Sequence, residues 1–185
     1  MSRVLVPLAK GFEDLEFVTI VDVLRRGGVE VVTASLADTL DVPGAHGVTM
    51  RADATFADVA DDAFDAIVLP GGGEGTENLK NSDLLIRRLQ RQRDDGGLIC
   101  AICAAPTVLV EAGVLADGQH VTCYPTMQLE LDRPWSPAPV VADGNVITGQ
   151  APGSALLFAL VVLQHLTDAA TAHRVARGMV TDVLD

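Results

Sequence analysis

The chain has 185 residues, a formal net charge of −12 and 49% hydrophobic residues. That apolar content excludes a disordered chain, and the length most simply makes one domain over residues 1–185 with room for a sizeable core. The acidic balance argues against nucleic acid or an anionic membrane surface as a partner, because like charge repels both.

Arg3 to Ala9 reads as a buried strand. Its apolar run is too short for a signal-peptide core and soon meets Lys10, Glu13 and Asp14. Glu13 to Arg26 has helical periodicity and closes at Gly27-Gly28, and Val29 to Ser35 is a second strand. Asp41 to Asp53 carries Pro43, Gly44 and Gly47 and reads as an irregular hairpin. A short helix over Phe56 to Asp62 precedes a strand over Ala66 to Leu69, which runs into Pro70-Gly71-Gly72-Gly73. Asp83 to Arg93 is amphipathic and helical, Leu98 to Ile102 is a strand, and Pro106 to Ala112 is a helix. Val121 to Tyr124 and Val146 to Thr148 read as later strands, and Ser154 to Leu166 and Ala169 to Met179 close the chain as helices. The most apolar of these, Ala155 to Leu163, is too short to span a bilayer. The expected compartment is the reducing cytoplasm, where Cys100, Cys103 and Cys123 stay unpaired. Alternating strands and helices predict an α/β fold, a mostly parallel sheet with helices on both faces. Its site should lie beyond the carboxyl ends of the strands, where Ala9-Lys10-Gly11, Pro70 to Gly75 and Cys103 fall.

Cys103 stands between a strand and a helix, on a turn that would aim its thiol at free backbone N–H groups. Those groups and the helix dipole should favour the reactive thiolate. Cys100-x-x-Cys103 also matches a redox dithiol, but Cys100 lies inside the strand, and positions three apart on a strand face opposite sides. Adding His120-x-x-Cys123 gives a zinc-ribbon spacing, although both halves sit in apolar, strand-like segments rather than loops. Pro70 to Gly75 lacks the lysine of a phosphate-binding loop, so its N–H groups are better suited to an oxyanion. Glu13 and Asp14 suit a solvated first helical turn, and spacing alone puts Glu16 on the surface as well. Cys123 reads as core.

Five motifs occur in one order: Lys10-Gly11-x-Glu13-x-x-Glu16, Val21 to Gly27, Val68-Leu69-Pro70-Gly71-Gly72, Ala101 to Thr107, and Pro152-Gly153-Ser154. Together they resemble the DJ-1 family, also called the ThiJ or DJ-1/PfpI superfamily, in its DJ-1 and YajL branch. The resemblance implies a flavodoxin-like three-layer sandwich, a homodimer, and no metal or cofactor. It assigns the oxidation-sensitive nucleophile to Cys103 and a protonated, buried carboxyl beside it to Glu16. Backbone N–H groups of Gly71, Gly72 and Ala104 would line the pocket. Ala104 stands where some relatives carry a histidine, which argues against peptidase activity. Tyr124 stands where another relative carries histidine, so no Cys-His-Asp triad assembles from matched positions. His46 takes the place of a hairpin arginine that reaches across the family's dimer interface.

Two functions follow from the resemblance. One is a cofactor-independent glyoxalase or deglycase acting on methylglyoxal-type aldehydes or early glycation adducts. The other is a non-enzymatic oxidative-stress sensor and redox-responsive chaperone for unfolded clients, driven by Cys103 oxidation.

Overall fold

The computed structural model describes residues 1–184. Its centre is a seven-stranded sheet in the order β5-β2-β1-β6-β7-β9-β8. The strands are β1 (Arg3–Leu8), β2 (Glu30–Ser35), β5 (Ala54–Thr55), β6 (Ala66–Leu69), β7 (Leu98–Ile102), β8 (Val140–Asp143) and β9 (Val146–Gly149). Every pairing is parallel except β8 with β9. β3 (Asp41–Pro43) and β4 (Thr49–Arg51) form a separate antiparallel hairpin.

The strands read as unbroken apolar runs because both faces are covered. Val4, Val6, Leu8, Val68, Cys100 and Ile102 enter one core layer. It also contains residues of α1 (Asp14–Arg26), α7 (Ala155–Leu166) and α8 (Ala169–Gly178). Leu5, Ile67, Leu69, Ile99 and Ala101 enter the opposite layer. There they meet residues of α2 (Phe56–Val59), α3 (Gly73–Lys80), α4 (Asp83–Asp94) and α5 (Pro106–Glu111). Pro7 is tolerated in a central strand because the β1–β6 register is paired only at Val4 and Leu5.

Strand order reverses between β1 and β6, which opens a crevice at their carboxyl ends. The turns after β1, β6 and β7 meet there. The Gly75 N–H donates to Gly11 O at 3.0 Å, and the Glu13 N–H donates to Gly71 O at 2.9 Å.

One expectation is corrected, and further elements were not anticipated. Val121 to Tyr124 is not a strand: Val121 makes one isolated bridge to Trp135, and the Thr122 N–H goes to the Thr148 hydroxyl. The sheet edge is taken instead by β8, which hairpins onto β9. The glycine-rich segment after β6 passes directly into α3, whose Gly-Glu-Gly-Thr-Glu-Asn start lacks a helical apolar period. A short helix α6 (Gln128–Leu131), preceded by a 3₁₀ turn over Pro125–Met127, follows Tyr124.

Candidate active site

Cys103 is the first residue after β7 and adopts a left-handed backbone, φ +64°. This conformation costs a non-glycine residue roughly 1–3 kcal/mol and persists only where its surroundings dictate it. They do so here. The Cys103 N–H donates to Gly149 O at 3.0 Å, and its carbonyl accepts from the Tyr124 N–H at 2.8 Å. The sheet and the Tyr124 segment thus clamp the elbow from both sides. The residue is 8% exposed, and the nearby N–H groups of Gly72 and Ala104 favour charge on its sulfur.

Glu16 lies in the first turn of α1 and is fully buried, against the surface position that spacing suggested. Its Oε2 accepts from the Gly71 N–H at 2.8 Å. Oε1 is buried without a hydrogen-bond partner, and the carboxyl lies beside Cys103, whose thiol its charge raises. Gly71 is glycine for a steric reason. A Cβ there would lie 2.7 Å from Cys103 Cβ and 2.8 Å from Glu16 Oε2, between the two reactive groups. Gly72 has φ +97°, and a Cβ would sit 2.3 Å from Gly11 O. The expectation for Gly71 therefore changes. Its N–H holds Glu16, which leaves the N–H groups of Gly72 and Ala104 to favour charge on the sulfur.

The electrostatics depart from the simple elbow argument. Burial pushes the Glu16 carboxyl up to about 7, opposed by the Gly71 N–H and assisted by the charge of Glu13. Burial also pushes the Cys103 thiol up to about 12, with the Glu16 carboxylate adding to the rise and the Ala104 and Gly72 N–H groups opposing it. The helix start predicts a low-pKa thiol, whereas burial and the adjacent carboxylate push the Cys103 thiol up. The Glu16 contribution reverses when Glu16 holds the proton. A neutral carboxyl exerts no repulsion and donates to the thiolate. The two groups therefore titrate as one pair that shares a proton.

The remaining candidates fall outside this pair. Cys100 joins the same core layer as Cys103, because the left-handed elbow turns Cys103 back toward that side. The opposite-face argument therefore fails. Cys100 is fully buried, and desolvation drives its thiol strongly up. Cys123 is buried in the other layer, and His120 faces solvent 3.7 Å from Asp143, so the zinc-ribbon spacing does not converge. Tyr124 touches the site through its backbone N–H, and the residue is 42% exposed. His46 does not reach Cys103 within one chain: its ring lies 3.8 Å from Glu13 Oε1, with the side chain 72% exposed.

Two acids read as solvated prove structural. Asp14 is buried and accepts from the N–H groups of His46 at 2.9 Å and Val48 at 3.1 Å, which fastens the hairpin to α1. Glu13 caps α1, its Oε2 accepting from the Glu16 N–H at 2.7 Å. The signal for this was present in the Glu13-x-x-Glu16 spacing, which fits a capping residue and the third helical position.

The DJ-1/PfpI family model matches residues 2–165. The chain is 43% identical to the Protein dj-1beta of Drosophila melanogaster over 178 residues, 95% of each sequence. It is 34% identical to a protein of Pyrococcus abyssi named as a deglycase, over 82% of this chain and 91% of that one. The structure of oxidized Toxoplasma gondii DJ-1 superposes with a TM-score of 0.94 at 34% identity, covering 98% of this chain and all of that one. Sequence, architecture and the order of the motifs around the elbow agree, and the chain belongs to the DJ-1/PfpI family.

Proposed function

We propose that this chain is a cysteine-dependent enzyme of the glyoxalase or deglycase type, acting on small reactive aldehydes such as methylglyoxal or on early glycation adducts. The observation that carries the reading is the fully buried Glu16 carboxyl, one oxygen unpartnered, packed against the Cys103 elbow across Gly71. The name of the Pyrococcus abyssi relative supports the substrate class.

In the fraction of molecules whose shared proton has passed from sulfur to Glu16, the Cys103 thiolate adds to the aldehyde carbon and forms a C–S bond. The carbonyl π electrons move to oxygen, where the N–H groups of Gly72 and Ala104 lie close enough to stabilise the charge. Glu16 delivers its proton to that oxygen, giving a hemithioacetal. The Glu16 carboxylate then removes the hydrogen from the former aldehyde carbon as a proton, leaving an enediolate across the two oxygenated carbons. The hydroxyl proton of the first carbon passes to the oxygen of the second, and return of the Glu16 proton to that second carbon yields a thioester. Water cleaves its C–S bond, releasing the hydroxy acid and restoring the thiolate. Among the described residues no histidine is hydrogen-bonded to the sulfur. One carboxyl therefore serves as acid and base, and slow turnover is expected. No histidine follows Cys103 for peptidase chemistry.

This reading places the chain in the cytoplasm as a homodimer. Leu15 and Val18 on α1 and Val48 on the hairpin are about half exposed, which supports an apolar contact with a second copy. The oxidation-sensor reading draws on the same donors. The Gly72 and Ala104 N–H groups and a neutral Glu16 would hold the oxygens of a Cys103 sulfinate, with chaperone action on unfolded clients as its output.

The test is methylglyoxal consumption with lactate detection for wild type, Cys103→Ser and Glu16→Gln. Turnover in wild type that vanishes in both variants is expected. Wild-type turnover no higher than that of the variants overturns the enzyme reading and favours the sensor.

A further inference from the structure

The mechanism leaves one question open in the geometry: what keeps a proton on a carboxyl that already accepts a hydrogen bond from Gly71? Glu13 lies where it can answer. Its side chain is only 13% exposed and faces inward along the first turn of α1. Oε2 takes the Glu16 N–H at 2.7 Å, and the Glu13 N–H holds Gly71 O at 2.9 Å. One residue thus ties together the helix start that carries Glu16 and the glycine turn that binds its carboxyl.

We propose that Glu13 is a positioning residue whose carboxylate, fixed on the Glu16 backbone, repels charge from Glu16 and so keeps the shared proton off the Cys103 sulfur.

The neighbouring charges leave this effect in place. Among the described residues, the only ion-pair partner of Glu13 is His46 at 3.8 Å, itself 72% exposed and screened by solvent. Asp14 is occupied by the hairpin N–H groups. Lys10 and Glu74, on the turns after β1 and β6, pair with each other at 3.0 Å. The Coulombic influence of Glu13 on Glu16 is in the direction required, toward the neutral carboxyl. Glu16 is the charged neighbour that acts on Cys103. Glu13 therefore works through Glu16 and not on the sulfur itself.

The inference rests on reading Glu16 and Cys103 as the reactive pair, but its test needs no aldehyde substrate. The rate of Cys103 carbamidomethylation by iodoacetamide is followed by mass spectrometry across roughly pH 5 to 9, which brackets the lower titration of the pair. Glu13→Gln keeps an acceptor for the Glu16 N–H and removes only the charge. Glu16 then becomes more acidic, and the shared proton moves to sulfur. Cys103 alkylation near neutral pH should slow about threefold, and the lower midpoint should move down by about half a pH unit. Glu13→Asp, which keeps the charge on a shorter arm, should retain the wild-type midpoint. In a Glu16→Gln background, Glu13→Gln should change nothing, since the route runs through Glu16.

A Glu13→Gln profile superimposed on wild type overturns the proposal. So does a Glu13→Asp profile shifted like that of Gln, which would make the cap rather than the charge responsible. An equal Glu13→Gln effect in the Glu16→Gln background also overturns it. A protein that makes no lactate but shows these shifts refutes the glyoxalase reading alone.

Discussion

The two ends of the parallel sheet treat charge in opposite ways. At the amino ends of the strands, guanidinium groups meet carboxylates. Arg3 pairs with Glu30 at 2.9 Å and Asp62 at 3.0 Å, and its guanidinium lies 4.5 Å from the centre of the Phe64 ring. Arg91 pairs with Asp61 at 3.0 Å, and the buried Arg88 lies near the same Phe64 ring. At the carboxyl ends, Glu16 is buried next to another acid and a thiol, with no cationic partner among the described residues. A buried carboxyl without a counter-charge stays neutral, and a neutral carboxyl is a proton donor. The same fold is thus held at one end by ordinary surface electrostatics and poised at the other by withholding them.

The contrast is broken most severely at Gly71. Gly71→Ala inserts a methyl between the Cys103 Cβ and Glu16 Oε2. Aldehyde turnover and Cys103 alkylation should each fall by about a hundredfold, as expected when reacting groups are misplaced by an ångström. Circular dichroism should show the fold retained. Wild-type alkylation in a folded Gly71→Ala protein would mean that the Cys103–Glu16 contact is not what activates the thiol.

The next effect is on stability. The Glu16 carboxyl is raised from 4.5 to about 7 in the folded state. Folding therefore takes up a proton between those values. The benefit of the neutral carboxyl is complete below the unfolded value and is lost as pH rises through about 7. The difference amounts to about 3 kcal/mol. Glu16→Gln is neutral at every pH. Denaturant titrations should show the variant gaining on wild type between these limits and holding a constant lead above them. A constant difference from acid to neutral pH would show that Glu16 titrates alike in the folded and unfolded chain, with no raised carboxyl.

The smallest effect is at the opposite end. Arg3→Ala removes two part-exposed ion pairs and a ring contact, and should lower stability by about 1 kcal/mol. Cys103 alkylation should be unchanged at all pH values. A shifted profile would mean that the two ends communicate.

The layer structure was legible in the sequence because its signals are local. Buried parallel strands such as Arg3–Leu8 and Leu98–Ile102 are continuous apolar runs, and glycine punctuates the helices between them. Cys103 was legible for the same reason, since the apolar run stops there. Spacing alone misplaced Glu16, because its burial depends on Gly71, fifty-five positions away along the chain. Glu13 and Asp14 were misplaced similarly: the first turn of α1 is covered by a hairpin that lies more than thirty residues further along the chain. The α3 start was hidden by glycines, and Val121 to Tyr124 carried a strand-like composition into a segment that the sheet does not pair. The raised Cys103 thiol was hidden too, because it follows from burial by the folded chain and from Glu16, which is remote in sequence.

The most direct test of the account is the titration of the Glu16 carboxyl itself. In protein labelled with ¹³C at the glutamate side-chain carboxyl, the resonance missing from Glu16→Gln identifies the group, and its shift is followed with pH. The account predicts a carboxyl that titrates near 7, well above the ordinary 4.5. A Glu16 resonance that titrates at the ordinary value would contradict the shared proton, and with it both the mechanism and the role assigned to Glu13.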